Sequence, residues 1–302
     1  MIPPRLVCLG QFTIDDIVRW DGTVRMGCVG GDVVYSWFGA HLWIDDVGLV
    51  APVGNDFPTS ELETLARAGA SLEGVAVRDV PTMRSWALYE QDGRRTWVMR
   101  SDPSHFYELS PRRADIPRLY WGAPSFHIAA MDMMAQFELA AALRRDGVFI
   151  ALDPQEDYIA GNEKQLLTLV EQVNVFLPSA VEVRRLVGHS NHETAARELA
   201  ALGPSVVVIK LGPEGALVYD RGTGLSHHVP AYPVRVVDDT GAGDAFCGGF
   251  MAGLACGLPA PEAAAKGVVS ASFVIEAFGW LPLLPLTRVD AEYRLQQYLG
   301  CS

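Results

Sequence analysis

From residue 125 onward, short apolar runs alternate with stretches of helical spacing, and few folds accept that order. Residues 125–129 and 148–152 read as buried strands, the second running into Asp153-Pro154, with helical stretches at 133–145 and 163–171. Residues 173–177 and 206–211 add two more strands, and 5–9 and 47–53 supply earlier ones. Strands that alternate with helices imply a parallel sheet covered on both faces. In such folds ligands bind at the carboxyl ends of the strands. Of the 302 residues, 49% are apolar, enough for a sizeable core.

One stretch breaks the rhythm. Residues 83–99 (MRSWALYEQDGRRTWVM) alternate apolar and polar positions on either side of Asp92-Gly93, a strong hairpin signal. Pairing Trp86, Leu88 and Trp97 with one strand running over residues 18–29 predicts a small sheet apart from the main one; the plainer reading is an edge hairpin. Arg84, Arg94, Arg95 and Arg100 lie on or beside it, able to read an anion or simply to face solvent.

Composition excludes some roles. With 36 Asp+Glu against 24 Lys+Arg, a formal charge of −12, the chain is a poor general partner for nucleic acid. Five cysteines without a C-x-x-C pair read as reduced thiols, and His227-His228 has no third metal ligand at a suitable spacing. The N-terminus lacks a leader pattern and the apolar run 245–258 is short for a span, so no membrane contact and a cytoplasmic location are expected. No repeat or linker divides residues 1–302, which are read as one domain.

Residues 234–250 (VRVVDDTGAGDAFCGGF) carry the chemistry. The β-branched run 234–237 predicts a buried strand, Gly241-Ala242-Gly243 a turn, and the small apolar residues after Asp244 a buried helix. The first N–H groups of a helix lack partners and carry partial positive charge, so a glycine turn there suits a phosphate or oxyanion. Asp244 at its mouth would repel a merely bound phosphate; between it and the turn, an alcohol could lose its proton while attacking phosphorus. The bland reading is a tight turn whose Asp caps the helix.

The octet Asp239-Thr240-Gly241-Ala242-Gly243-Asp244-Ala245-Phe246 closely resembles the signature of the ribokinase-like (PfkB) kinases. That resemblance implies a three-layer α/β/α sandwich with a mostly parallel central sheet and a small β-sheet lid, here about 16–31 and 83–100. It implies ATP and Mg2+, with Asp244 as base, the amides of Gly241, Ala242 and Gly243 as anion hole, Thr240 beside the nucleotide, and Asp238 in a loop for a potassium-like ion. Gly10 and Asp15 match the spacing of a family pair whose Asp binds substrate hydroxyls. Gly30-Gly31 matches the glycine pair that lets a sugar approach backbone, and Tyr35 stands where an Asn is usual. Arg100 is a further candidate for the acceptor. Glu182 stands where the family Glu orders water around Mg2+, with Ser179 in place of Asn. Lys210 replaces a common Thr before the nucleotide-side turn Gly212–Gly215, and no Asn occurs in the adenine region 261–277.

The resemblance implies a kinase acting on a hydroxyl of a sugar or sugar-like molecule. A nucleoside kinase is the rival, since Tyr35 and the lid tryptophans could stack on a base; a catalytically weak binding or regulatory relative is another. Lids of this family often pair between subunits, so a homodimer is expected.

Overall fold

The computed structural model describes residues 2–91, 95–188 and 191–300. The Asp92-Gly93 turn, Arg94 and Cys301 lie outside them. In chain order, β1 (Leu6–Leu9), β2 (Thr13–Arg19) and β3 (Val24–Gly30) lead to α1 (Asp32–His41). Then come β4 (Val47–Val50), β5 (Val53–Gly54), α2 (Thr59–Arg67), β6 (Val77–Arg78), β7 (Met83–Tyr89), β8 (Arg95–Met99) and α3 (Ser104–Glu108). The alternating half runs β9 (Ser125–Ile128), α4 (Met133–Arg145), β10 (Phe149–Leu152), α5 (Glu163–Val170), β11 (Val175–Phe176), α6 (Ala180–Val187), α7 (His192–Leu202) and β12 (Val206–Lys210). It closes with β13 (Ala216–Asp220), β14 (Leu225–Val229), α8 (Ala242–Ala255), α9 (Ala260–Val274) and α10 (Arg288–Gly300).

Among the described residues the main sheet has the order β14-β13-β12-β11-β10-β9-β1-β4. It is parallel from β12 to β4, with β13 and β14 added antiparallel at one edge. Alternate residues of each strand enter separate cores, as the two-residue strand period requires. Leu6 and Cys8 pack with α1, α8 and α9 on one face, and Val7 and Leu9 with α4 to α7 on the other. On the first face α1 and α8 touch backbone to backbone: a side chain on Gly39 would start 2.2 Å from Ala245 O, and one on Gly248 1.9 Å from Ser36 O. That contact fixes the N-termini of the two helices relative to each other.

A second sheet has the order β3-β2-β7-β8, with β2 and β7 parallel. It begins at Thr13, earlier than the expected 16, and the region 18–29 is two strands joined by a turn. Residues 47–53 likewise divide, at Ala51-Pro52, into β4 and β5.

The predicted strand at 234–237 does not form. Residues 230–241 form neither strand nor helix, and Val236 is exposed. The sheet already ends at β14, and Pro230 and Pro233 have no N–H to offer a ladder. Instead the Val237 and Asp238 N–H groups donate to Ile275 O, at 2.7 and 3.3 Å, just past the end of α9.

Candidate active site

Although no strand delivers the octet, it reaches the carboxyl ends of the parallel strands. α8 begins at Ala242, with Gly241 as N-cap at φ 78°, a left-handed backbone that glycine adopts without strain. A side chain on Gly241 would also start 2.3 Å from Tyr35 Cδ2, so the ring lies directly against the turn. Among the described residues the Gly241 and Gly243 N–H groups have no protein acceptor, and the Ala242 N–H reaches only Asp239 O at 3.3 Å. Asp244 lies in the first turn of α8. The turn thus offers bare amides at a helix N-terminus with a carboxylate beside them.

Facing it is the corner built by β2, β3 and α1. Asp15 is buried and accepts hydrogen bonds from Thr13 Oγ1 (2.6 Å) and Ser85 Oγ (2.7 Å). A carboxylate oxygen has two lone pairs, so each can accept more than one hydrogen bond. Gly30 adjoins Asp15 and Tyr35: a side chain there would start 3.6 Å from Asp15 Oδ2 and 3.5 Å from Tyr35 Cε2. Gly31, the N-cap of α1, follows. Tyr35 is only 3% exposed, so it joins the two turns and offers no face for stacking. Burial, and then Asp238 and Asp15, hold its phenol neutral.

Arg100 does not join this corner. Asp15 registers with Ser85 and Asp16 with Trp86, so the adjacent carboxylates point to opposite faces of the small sheet. Arg100 pairs with Asp16, with its guanidinium 5.2 Å from the Trp86 ring, on the face away from Asp15.

The nucleotide-side candidates meet beneath the turn. Lys210 ends β12, and its Nζ bonds both Asp153 oxygens at 2.5 and 2.6 Å; a side chain on Gly243 would start 3.6 Å from that nitrogen. Burial would lower the ammonium pKa, but Asp153, Cys247 and Glu182 together outweigh it and raise it, so Lys210 stays charged. Glu182 is buried in a capping box on α6: its Oε2 accepts the Ser179 N–H at 2.5 Å, and Ser179 Oγ accepts the Glu182 N–H at 3.2 Å. Burial lifts its carboxyl to about 7, with Lys210 pulling the other way. Gly212 and Gly215 bound the turn after β12, at φ 59° and 94°.

Asp238 accepts from the Thr240 N–H (3.1 Å) and hydroxyl (2.8 Å) through Oδ1, while its buried Oδ2 has no partner among the described residues. Two acidic members escaped the sequence reading. Asp153 is an isolated Asp before a proline, and its partner Lys210 lies 57 positions away. Asp32, whose Oδ1 accepts the Gln11 N–H at 2.7 Å, is pushed up by burial and then by Asp244; its only signal was adjacency to Gly31.

A protein-family model described as "pfkB family carbohydrate kinase" matches residues 28–285. The chain belongs to the PfkB family. A cytidine kinase of Thermococcus kodakarensis is 32% identical over 91% of the chain and 97% of its own length. A nucleoside kinase of Methanothermobacter thermautotrophicus is 27% identical over 79% and 75%. Among solved structures, the nucleoside kinase of Burkholderia thailandensis in complex with inosine superposes with a TM-score of 0.83 at 19% identity, covering 98% of each chain. Arabidopsis thaliana ribokinase complexed with ribose and ATP gives 0.73 at 21%, covering 98% and 99%. Both structural likenesses carry the fold alone. This PfkB protein is a phosphotransferase of the sugar and nucleoside kinase class, built on the ribokinase fold. No helix among its described residues is long and apolar enough to cross a membrane.

Proposed function

We propose that this PfkB protein transfers the γ-phosphoryl group of ATP to a hydroxyl of a nucleoside. The observation that carries the reading is the pairing of Asp244 with bare amides of the Gly241–Gly243 turn, opposite the Asp15–Gly30 corner. Asp244 takes the proton of the acceptor hydroxyl. The new bond forms between that oxygen and the γ-phosphorus, the bond to the β–γ bridging oxygen breaks, and ADP leaves. The turn's amides and the α8 N-terminus stabilise charge on the transferring group, and water exclusion by the small sheet, acting as lid, strengthens them. Asp15, Gly30 and Gly31 hold the acceptor; Thr240, Ser179, Lys210, Gly212 and Gly215 serve the nucleotide.

Mg2+ fits beside Glu182 and Asp153, two buried carboxylates served by one ammonium among the described residues. Bound beside those carboxylates, the ion would supply counter-charge to the triphosphate. The unpartnered buried Oδ2 of Asp238 fits a monovalent cation such as potassium.

A nucleoside is favoured over a free sugar by register. Met99 pairs with Ser85 and Trp97 with Ala87, on the face that carries Asp15, and both are substantially exposed there. They offer an apolar wall suited to a base, and the cytidine kinase relative agrees in chemistry. ADP release should be measured with cytidine, uridine, adenosine, inosine, ribose and fructose. Turnover with a nucleoside at least tenfold above ribose supports the reading; turnover on free sugars alone returns it to the sugar kinases, and none at all leaves a binding or regulatory protein.

The same sheet is proposed to pair with a second copy. Val24 and Met26 on edge strand β3, with Trp86 and Val98 on the face away from Asp15, are exposed apolar residues on an open sheet. Light scattering at twice the 32.8 kDa chain mass, reduced to one by Met26→Lys, is expected.

A further inference from the structure

We propose that Tyr89 is a positioning residue that ties the closed lid to the anion turn and its cation loop. The inference rests on the kinase reading above and adds a residue to which that reading gives no role.

Tyr89 is the last residue of β7 and registers with Arg19, the last of β2, so both stand at one end of the small sheet. The Tyr89 hydroxyl is hydrogen-bonded to Thr240 Oγ1, across 151 positions of sequence. Thr240 has a single hydroxyl hydrogen, and it goes to Asp238 Oδ1 at 2.8 Å. Tyr89 is therefore the donor, and the chain runs Tyr89 to Thr240 to Asp238. It ends on the carboxylate whose other oxygen is buried without a partner among the described residues. Thr240 immediately precedes Gly241, so a hydroxyl held from the lid also holds the plane of the first anion-hole amide.

Arg19 reinforces the junction. Its guanidinium lies 6.0 Å from the Phe278 ring, with Arg25 of β3 at 5.2 Å from the same ring. Phe278 lies three residues past Ile275, whose carbonyl accepts the Val237 and Asp238 N–H groups. Lid, cation loop and the end of α9 thus meet at one point. When the lid sits over an acceptor, Tyr89 restrains Thr240 and the amides face the phosphoryl group; when it lifts, the turn loses that restraint. Phosphoryl transfer is then favoured only with the acceptor side closed, which limits loss of ATP to water.

The test is Tyr89→Phe, which keeps the ring and removes the donor. Loss of one such hydrogen bond is expected to lower kcat about tenfold while both KM values stay within about twofold. The potassium concentration for half-activation should rise severalfold. Thr240→Val should lower kcat similarly, and the double variant should be no worse than the more damaged single one. Independently of activity, amide hydrogen exchange of residues 237–245 should quicken in Tyr89→Phe while the melting temperature holds. A change confined to acceptor KM, additive losses in the double variant, or unaltered exchange would overturn the proposal. If the wild type phosphorylates nothing, the kinase reading fails, and the exchange comparison still decides whether Tyr89 restrains the loop.

Discussion

Glu182 makes the molecule's stability depend on pH in a direction opposite to that of a salt-bridged acid. Its carboxyl rises from an ordinary 4.5 to about 7, chiefly through burial. Below pH 4.5 both folded and unfolded chains hold the proton, and Glu182 adds no pH-dependent cost. Between 4.5 and 7 the unfolded chain has released it while the folded chain keeps it, so stability falls as pH rises. Above 7 the loss is complete, at about 3 kcal/mol. Glu182→Gln abolishes this loss. A Gln at the third helical position can still accept the Ser179 N–H in the capping box, so α6 keeps its start. Calorimetry without nucleotide should find the variant and the wild type melting together near pH 4.5, and the variant about 5 °C higher at pH 8 for a chain of this length. Melting curves that stay parallel from pH 4.5 to 8 would refute the buried, ionising Glu182. The expected penalty is functional: without the carboxylate, Mg2+-dependent ATP binding weakens.

Two more substitutions probe the same machinery. Gly241→Ala forces a side chain into a φ of 78° and against the Tyr35 ring. It should destabilise by roughly 2–4 kcal/mol in urea unfolding, and adding Tyr35→Ala should recover the steric part only. Lys210→Met leaves Asp153 charged and buried without its ammonium, a loss of about 3–5 kcal/mol by the same measurement. A change under about 1 kcal/mol would mean that the pair is dispensable.

The octet was legible because its chemistry is local. A helix N-terminus, glycines that leave amides bare and a carboxylate one position on are adjacent in sequence and remain adjacent in space. The alternating strands were legible for the same reason, since a run such as residues 206–210 is buried on both sides and can hardly be anything else. Errors came where an outcome depended on distant partners. Residues 234–237 have the composition of a strand, but no sheet edge receives them, and the Ile275 carbonyl takes two of the segment's N–H groups. Arg100 was read with the acceptor because it follows the hairpin; strand alternation sends it to Asp16 instead. Lys210 was visible as a cation near the nucleotide turn, but Asp153, which holds it, carried no mark in the sequence. In sequence Tyr35 fits a stacking platform and a core aromatic equally, and only its burial against Gly241 separates the two.

The central claim is that Asp244 deprotonates an alcohol while neighbouring amides hold the phosphoryl group. Asp244→Asn tests it most directly, with initial-rate kinetics on the best nucleoside and calorimetric titration of a non-hydrolysable ATP analogue. Turnover should fall roughly 10²–10⁴-fold with analogue affinity essentially unchanged. Turnover within tenfold of wild type, with the analogue still bound, would place the base elsewhere and contradict the account.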